Sequence, residues 1–277
     1  MRLSYVPEIW LSLITEKQPM SVLIFIVMAV LGVCLIALSC RYYFPFRAPV
    51  HASYPRVLLY HACDKTVFPG MPRRLITHPD NLEKQFIWLK KKGYSFLTAS
   101  ELVCSGSLKD KVRSVCITFD DGFEDNYIHL FPLLKKHQIK VVLFAAQQSV
   151  FSGRPMLNEA QIREMSDSGL VEFGGHTQTH LDLTVADEAV AEAEIRANKQ
   201  WLESLTGKPC VTFAYPFGKY TKRDVLILER LGFTSAFTCE RAIRPVNDPF
   251  QIPRLYVNGK IKSFQFPLLL SRGKFRS

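Results

Sequence analysis

From residue 56 onward, short apolar runs of strand length alternate with segments of helical period. This alternation narrows the fold more than any other feature of the chain. Arg56–His61 reads as a buried strand ending in a histidine. Residues 79–93 follow with Leu82, Phe86 and Leu89 on one helical face and Gly93 as the stop. Strands are expected at 94–97, 114–118, 140–146, 170–173 and 234–237, and helices at 127–136, 158–167, 187–205 and 221–231. Strand–helix alternation of this kind predicts an α/β fold with a parallel sheet or barrel. In such folds the chemistry sits where strands end.

Two strand ends stand out. Ile117-Thr118-Phe119-Asp120-Asp121-Gly122 places two carboxylates side by side before a glycine. Adjacent strand side chains point to opposite faces, but a glycine turn lets both swing into one site. Two anions held that close call for a cation between them. A solvated Asp-Asp-Gly turn is the plain alternative. Gly174-Gly175-His176-Thr177-Gln178-Thr179-His180 follows another short strand. Histidines four apart share a face if the segment turns helically. Asp121, His176 and His180 would make a three-ligand site with room for water, the pattern of a catalytic zinc.

In this order the two motifs resemble the first two of the NodB-type polysaccharide deacetylases (carbohydrate esterase family 4), and the similarity runs from about Val57 to about Val257. The resemblance implies a deformed, incomplete (β/α) barrel. It implies Asp120 as general base, and Asp121, His176 and His180 as ligands of a divalent metal, most often Zn2+. Leu59-Tyr60-His61 is similar to the N-terminal Leu-x-His motif of the branch that includes poly-N-acetylglucosamine deacetylases, which would make His61 the general acid. Tyr215-Pro216-Phe217 stands where the family has Arg-x-Pro-Tyr, with Ala214 in place of Arg and Phe217 in place of Tyr. Oxyanion and substrate contacts would then fall to Phe217, Tyr215 and Pro216, the Phe217 backbone N–H needing no phenol. The missing arginine leaves the base without its usual support, which Arg254 could restore from a later strand. Asp248 is a loose candidate for the family's fourth motif. The implied reaction is metal-dependent hydrolysis of the N-acetyl group of N-acetylhexosamine residues in a polysaccharide. A lipid-linked amino sugar as substrate, and a non-catalytic membrane-anchored glycan-binding protein, stay open beside it.

The remainder of the 277 residues frames this domain. Met20 to Leu38 carries no charge, close to the about 20 residues that span a bilayer. The expected organisation is a short N-terminal segment (1–20), a transmembrane anchor (20–40), a Pro-containing linker (41–55), the deacetylase domain (56–258) and a basic tail (259–277). The tail reads either as a membrane-surface segment or as a last packed element. Lys and Arg counts around the span barely differ, and the domain is expected outside the cytoplasm, on the cell membrane. Seven cysteines without a Cys-x-x-Cys do not read as a disulfide framework. The net charge of +10 allows anionic partners, but no nucleic-acid motif accompanies it. Glu124, Asp125 and Asn126 fail calcium-loop spacing and read as a solvated rim.

Overall fold

In the computed structural model, which describes residues 20–42, 49–104 and 113–273, the chain divides into two units, 1–47 and 48–277. In the first, helix α1 (Met20–Tyr42) carries the apolar run. Side chains are described from 20 to 36, and all but Gly32 are exposed. Among the described residues no helix is long and apolar enough to cross a membrane, so the structure does not supply the span expected at 20–40. Residues 1–19 and 43–48 lie outside the described residues.

The second unit is built on β1 (Arg56–Tyr60), β4 (Ser95–Phe96), β5 (Ser114–Asp121), β6 (Val141–Ala145), β7 (Val171–Gly175), β8 (Thr212–Ala214), β9 (Ser235–Phe237) and β10 (Leu255–Tyr256). A separate parallel pair, β2 (Ala62–Cys63) with β3 (Ile76–Thr77), follows β1. The eight main strands form one sheet, in order β10-β1-β5-β6-β7-β8-β9 with β4 beside β5, and every pairing is parallel. The two ends nearly meet. Ile252 bridges Phe237 of β9 in parallel, and Leu255 then pairs with Leu58 of β1. The sheet is parallel, as the strand–helix alternation predicts, and a curled, incomplete barrel, as the family resemblance implies.

The strands are apolar on both faces because helices cover the outside and side chains fill the inside. All eight residues of β5 are buried. Val57, Cys116, Val142, Phe144, Ala214, Phe237 and Ile252 meet in one core cluster. Helices α2 (Pro79–Lys91), α5 (Glu159–Asp167), α6 (Glu188–Thr206) and α7 (Lys222–Arg230) fall where helical period and caps place them, with the short α3 (Ala99–Cys104) and α4 (Phe131–His137) between the first two. Asn158 and Gln161 form a reciprocal capping box on α5.

The linker and the tail both take definite places. The second half of the 41–55 linker is bonded to the domain: Val50 N–H donates to Ser271 O, Arg113 N–H to Ala52 O, and the Arg56 guanidinium to His51 O. The tail is a packed element over 265–272, helix α8 (Gln265–Arg272), with Phe266, Leu269 and Leu270 buried and Phe266 edge-on to Trp88. Every described cysteine is free.

Candidate active site

The site lies at the C-terminal end of β5. Asp120 follows the strand's alternation and points with Thr118 toward Arg254: one guanidinium nitrogen reaches both Thr118 Oγ1 and Asp120 Oδ1. Asp121 would point the other way. Its backbone takes φ +78 instead, the left-handed region that non-glycine residues seldom enter. Gly122 continues the turn at φ +84, and a Cβ there would lie 3.0 Å from Ala145 Cβ. Glycine is favoured on both counts.

The histidine pair is not helical. Thr177 and His180 have φ +60 and +58, so a left-handed loop brings the rings together, with centroids 4.8 Å apart. His176 Nε2 and His180 Nε2 lie 3.4 and 3.3 Å from Asp121 Oδ1. Of six non-glycine residues at positive φ among the described residues, four (Asp121, Thr177, His180 and Phe217) belong to the site motifs. Strain concentrated this way marks a site held by its surroundings.

The donor set suits a cation. Ligand atoms of Asp121, His176 and His180 lie within 4.8 Å of one another, all three residues buried. His176 Nδ1 lies 2.7 Å from Ala214 O, and a carbonyl can only accept, so Nδ1 carries the hydrogen. A neutral His176 then turns a bare Nε2 lone pair onto a carboxylate, which a proton or a metal must resolve. Burial, the largest single influence, acts to lower His176, but the hydrogen bond to Asp121, the charges of Asp120 and Asp121 and the bond to Ala214 O together outweigh it and raise it. Burial likewise acts to raise Asp121, but hydrogen bonds with His176 and His180 hold it well below the usual carboxylate range.

Arg254 is fully buried and grips Asp120 with two nitrogens, at 2.6 and 2.8 Å. Its Nε donates to Thr238 O. It thus occupies the place expected of the missing motif arginine. His61 lines the same pocket, and its Nδ1 is buried without a protein partner among the described residues. Burial pushes its imidazole below the ordinary value, against the pull of Asp121 and Asp120 toward the charged form. The pocket, about 420 Å³, brings together Asp120, Asp121, His61, His176, His180 and Phe217. Phe217 is 56% exposed and edge-on to His180, with centroids 4.6 Å apart. At the next residue, Gly218, a Cβ would come within 2.6 Å of Cys239 N, so only glycine fits.

Tyr215 and Pro216 are buried and are not among the lining residues. The Tyr215 hydroxyl donates to Phe250 O and its ring stacks on Tyr220, so the residue anchors the loop that presents Phe217. Asp248 is exposed and bonds Phe250 N and Gln251. The acidic run is no rim. Asp125 and Asn126 are buried, Asp125 pairs with Arg154 and accepts from Cys63 N–H, and Asn126 donates to His61 O. These two therefore hold the backbone that carries His61. Asn198, in α6, accepts from His176 N–H and donates to Ala145 O. It is the one polar residue in the buried stripe Ala191, Ile195, Asn198, Leu202, Leu205. That stripe was the signal available in the sequence.

Residues 107–236 match the family model described as polysaccharide deacetylase. The poly-beta-1,6-N-acetyl-D-glucosamine N-deacetylase of Staphylococcus aureus (strain MRSA252) is 30% identical over 190 residues, covering 64% of this chain and 66% of that protein. The curated relatives extend further than the match, which spans 64% of one and 66% of another. Among solved structures, the Streptococcus pyogenes deacetylase PplD in complex with acetate is similar at a TM-score of 0.68 and 25% identity, over 79% of this chain and 98% of that one. IcaB from Ammonifex degensii is similar at 0.66 and 27%, over 79% and 97%.

Proposed function

We propose, from the premise that this chain belongs to the polysaccharide deacetylase family, that it is a metal-dependent hydrolase removing the N-acetyl group from N-acetylhexosamine residues of a poly-N-acetylglucosamine-like polysaccharide. The observation that carries this is the convergence of Asp121, His176 and His180 beside an Arg254-gripped Asp120 in one pocket. Asp121, His176 and His180 would hold the metal, for which Zn2+ suits the donors. Bound there, it supplies Lewis acidity toward the acetamide carbonyl and acidifies a water. Asp120 takes the proton of the attacking water, held in orientation by Arg254. The Phe217 backbone N–H is assigned to the carbonyl oxygen as it gains charge. His61 gives a proton to the nitrogen as the C–N bond breaks. Water and amide become acetate and a free amine. The relative's name, as a deacetylase of β-1,6-linked N-acetylglucosamine polymer, supports this substrate class.

The test is acetate release from β-1,6-linked N-acetylglucosamine oligomers by the full chain. Release should vanish after chelator treatment, return with Zn2+, and stay absent in His176→Ala. Full activity after metal removal would defeat the metal's role, and an oligomer left intact would defeat the polymeric substrate.

A membrane location belongs to the same reading and rests on the charge-free run from Met20 to Leu38, apolar on all sides. The catalytic unit is placed outside the cytoplasm, where such polymers lie. Carbonate washing of cell membranes should leave the chain in the pellet, and added protease should reach residues 48–277 in intact spheroplasts. Release by carbonate would rule out the anchor.

A further inference from the structure

The pocket wall carries a charge pattern that amide hydrolysis does not use. Arg74 and Arg241 both line it and both are exposed. Tyr256 ties them together: its hydroxyl donates to Arg74 O at 2.6 Å, and the Arg241 guanidinium lies over its ring, 5.1 Å from the centroid. Tyr256 is also a wall of an adjoining cavity of about 230 Å³, whose rim carries Lys260 and Lys262. The two cavities share Tyr256, so four cations line two cavities that adjoin at one side chain.

None of the four has a carboxylate within 4.0 Å among the described residues, whereas Lys136, Arg196 and Arg230 on other surfaces all do. The only acids in the wall of the larger pocket are Asp120 and Asp121. Both are engaged, by Arg254 and by the histidines. A solvated basic face is common in a chain of net charge +10, but such faces do not usually line the walls of a reactive pocket. Grouped cations that lack acids repel one another, and an anion relieves this. Arginine forks and lysine ammonium groups together suit the several oxygens and double charge of a phosphate better than a lone carboxylate.

We propose that the N-acetylamino sugar deacetylated here carries a phosphate group, and that Arg74 and Arg241 bind it at the pocket mouth, with Lys260 and Lys262 lining the adjoining cavity. This rests on the deacetylase reading above. The phosphate could belong to the glycan or to a lipid carrier, and the chemistry recognised is the same.

The experiment compares kcat/KM of the full chain on three probes. They are a β-1,6-linked N-acetylglucosamine trimer, the same trimer with a reducing-end phosphate, and that phosphate esterified to a short prenyl chain. The phosphorylated trimer should exceed the neutral one by about tenfold, equal to about 1.4 kcal/mol, with the advantage shrinking as salt rises. In Arg74→Gln/Arg241→Gln the ratio between the two probes should fall to about one. A further gain from the prenyl group would identify a lipid-linked source, and no further gain a glycan phosphate. Equal rates on the neutral and phosphorylated trimers, or a preference that survives the double substitution, would overturn the proposal. So would an unchanged ratio together with weaker sedimentation on phosphatidylglycerol vesicles, which would assign the arginines to a membrane surface. Turnover of the neutral trimer keeps the deacetylase reading separate. If no probe yields acetate, that reading falls, and this one with it.

Discussion

Replacing Arg254 with methionine is expected to destabilise the domain by about 3–5 kcal/mol, because it strands a buried carboxylate without its partner. Asp120 is 3% exposed, and both of its oxygens bond the guanidinium. The same substitution frees Thr238 O and removes a partner of Thr118 Oγ1. At about 2–4 °C per kcal/mol for a domain of this size, the thermal midpoint should fall by roughly 10 °C. Acetate release should fall at least about 100-fold, since Asp120 is no longer held in place. Arg254→Lys should rescue little of either, because an ammonium cannot bond two carboxylate oxygens as a fork does. The pair can be isolated by Asp120→Leu combined with Arg254→Met. The double variant should melt higher than Arg254→Met alone, since neither charge of the buried pair remains. A midpoint within a degree of the parent, with activity intact, would show that the ion pair supports neither fold nor site.

Asp120→Asn should reduce acetate release by about 10²–10⁴-fold, the range for a positioned general base. The amide keeps the shape of the side chain but cannot accept the proton. It also leaves the Arg254 charge without a counterion in a fully buried position, so a lower melting point should accompany the loss. Metal retention separates the two aspartates. Asp121, His176 and His180 supply all three candidate ligands without Asp120, so zinc stoichiometry by atomic absorption should stay at the parental value in Asp120→Asn and fall in Asp121→Asn. Residual release above about a tenth of the parent would remove Asp120 from the role of base. Loss of zinc in Asp120→Asn would mean that the two carboxylates share the metal.

Features that depend on neighbours in the chain were legible before any coordinates. Apolar period placed six of the eight main strands, missing the short β8 and β10, and most of the longer helices, because side-chain direction repeats every two residues in a strand and every 3.6 in a helix. The two motifs are equally local, and the expectation that a glycine turn brings Asp121 round beside Asp120 matches a φ of +78 at Asp121 and +84 at Gly122. The histidine motif was legible in composition but not in conformation. A helix would have joined the rings through one face, whereas Thr177 and His180 use left-handed backbone, in a loop where Thr177 Oγ1 accepts from Leu181 N–H and Glu194 accepts from Thr179.

What depends on closing the sheet was not legible. Arg254 lies 134 residues from Asp120, and no period or spacing links them. They meet because residues 252–256 run between β9 and β1 and carry the guanidinium into the barrel. Asp125 and Asn126 looked solvated because a run of polar residues after a turn usually is. Their burial follows from Arg154, nearly thirty positions away (|i−j| of 29), and from the backbone of residues 61–63. Amino-acid order alone thus settled which residue types stand at the strand ends, and so the class of chemistry. Which distant charges are brought together there, and how tightly, was decided only by the tertiary fold, because burial of a charge is a property of the assembled layers and not of the chain around it.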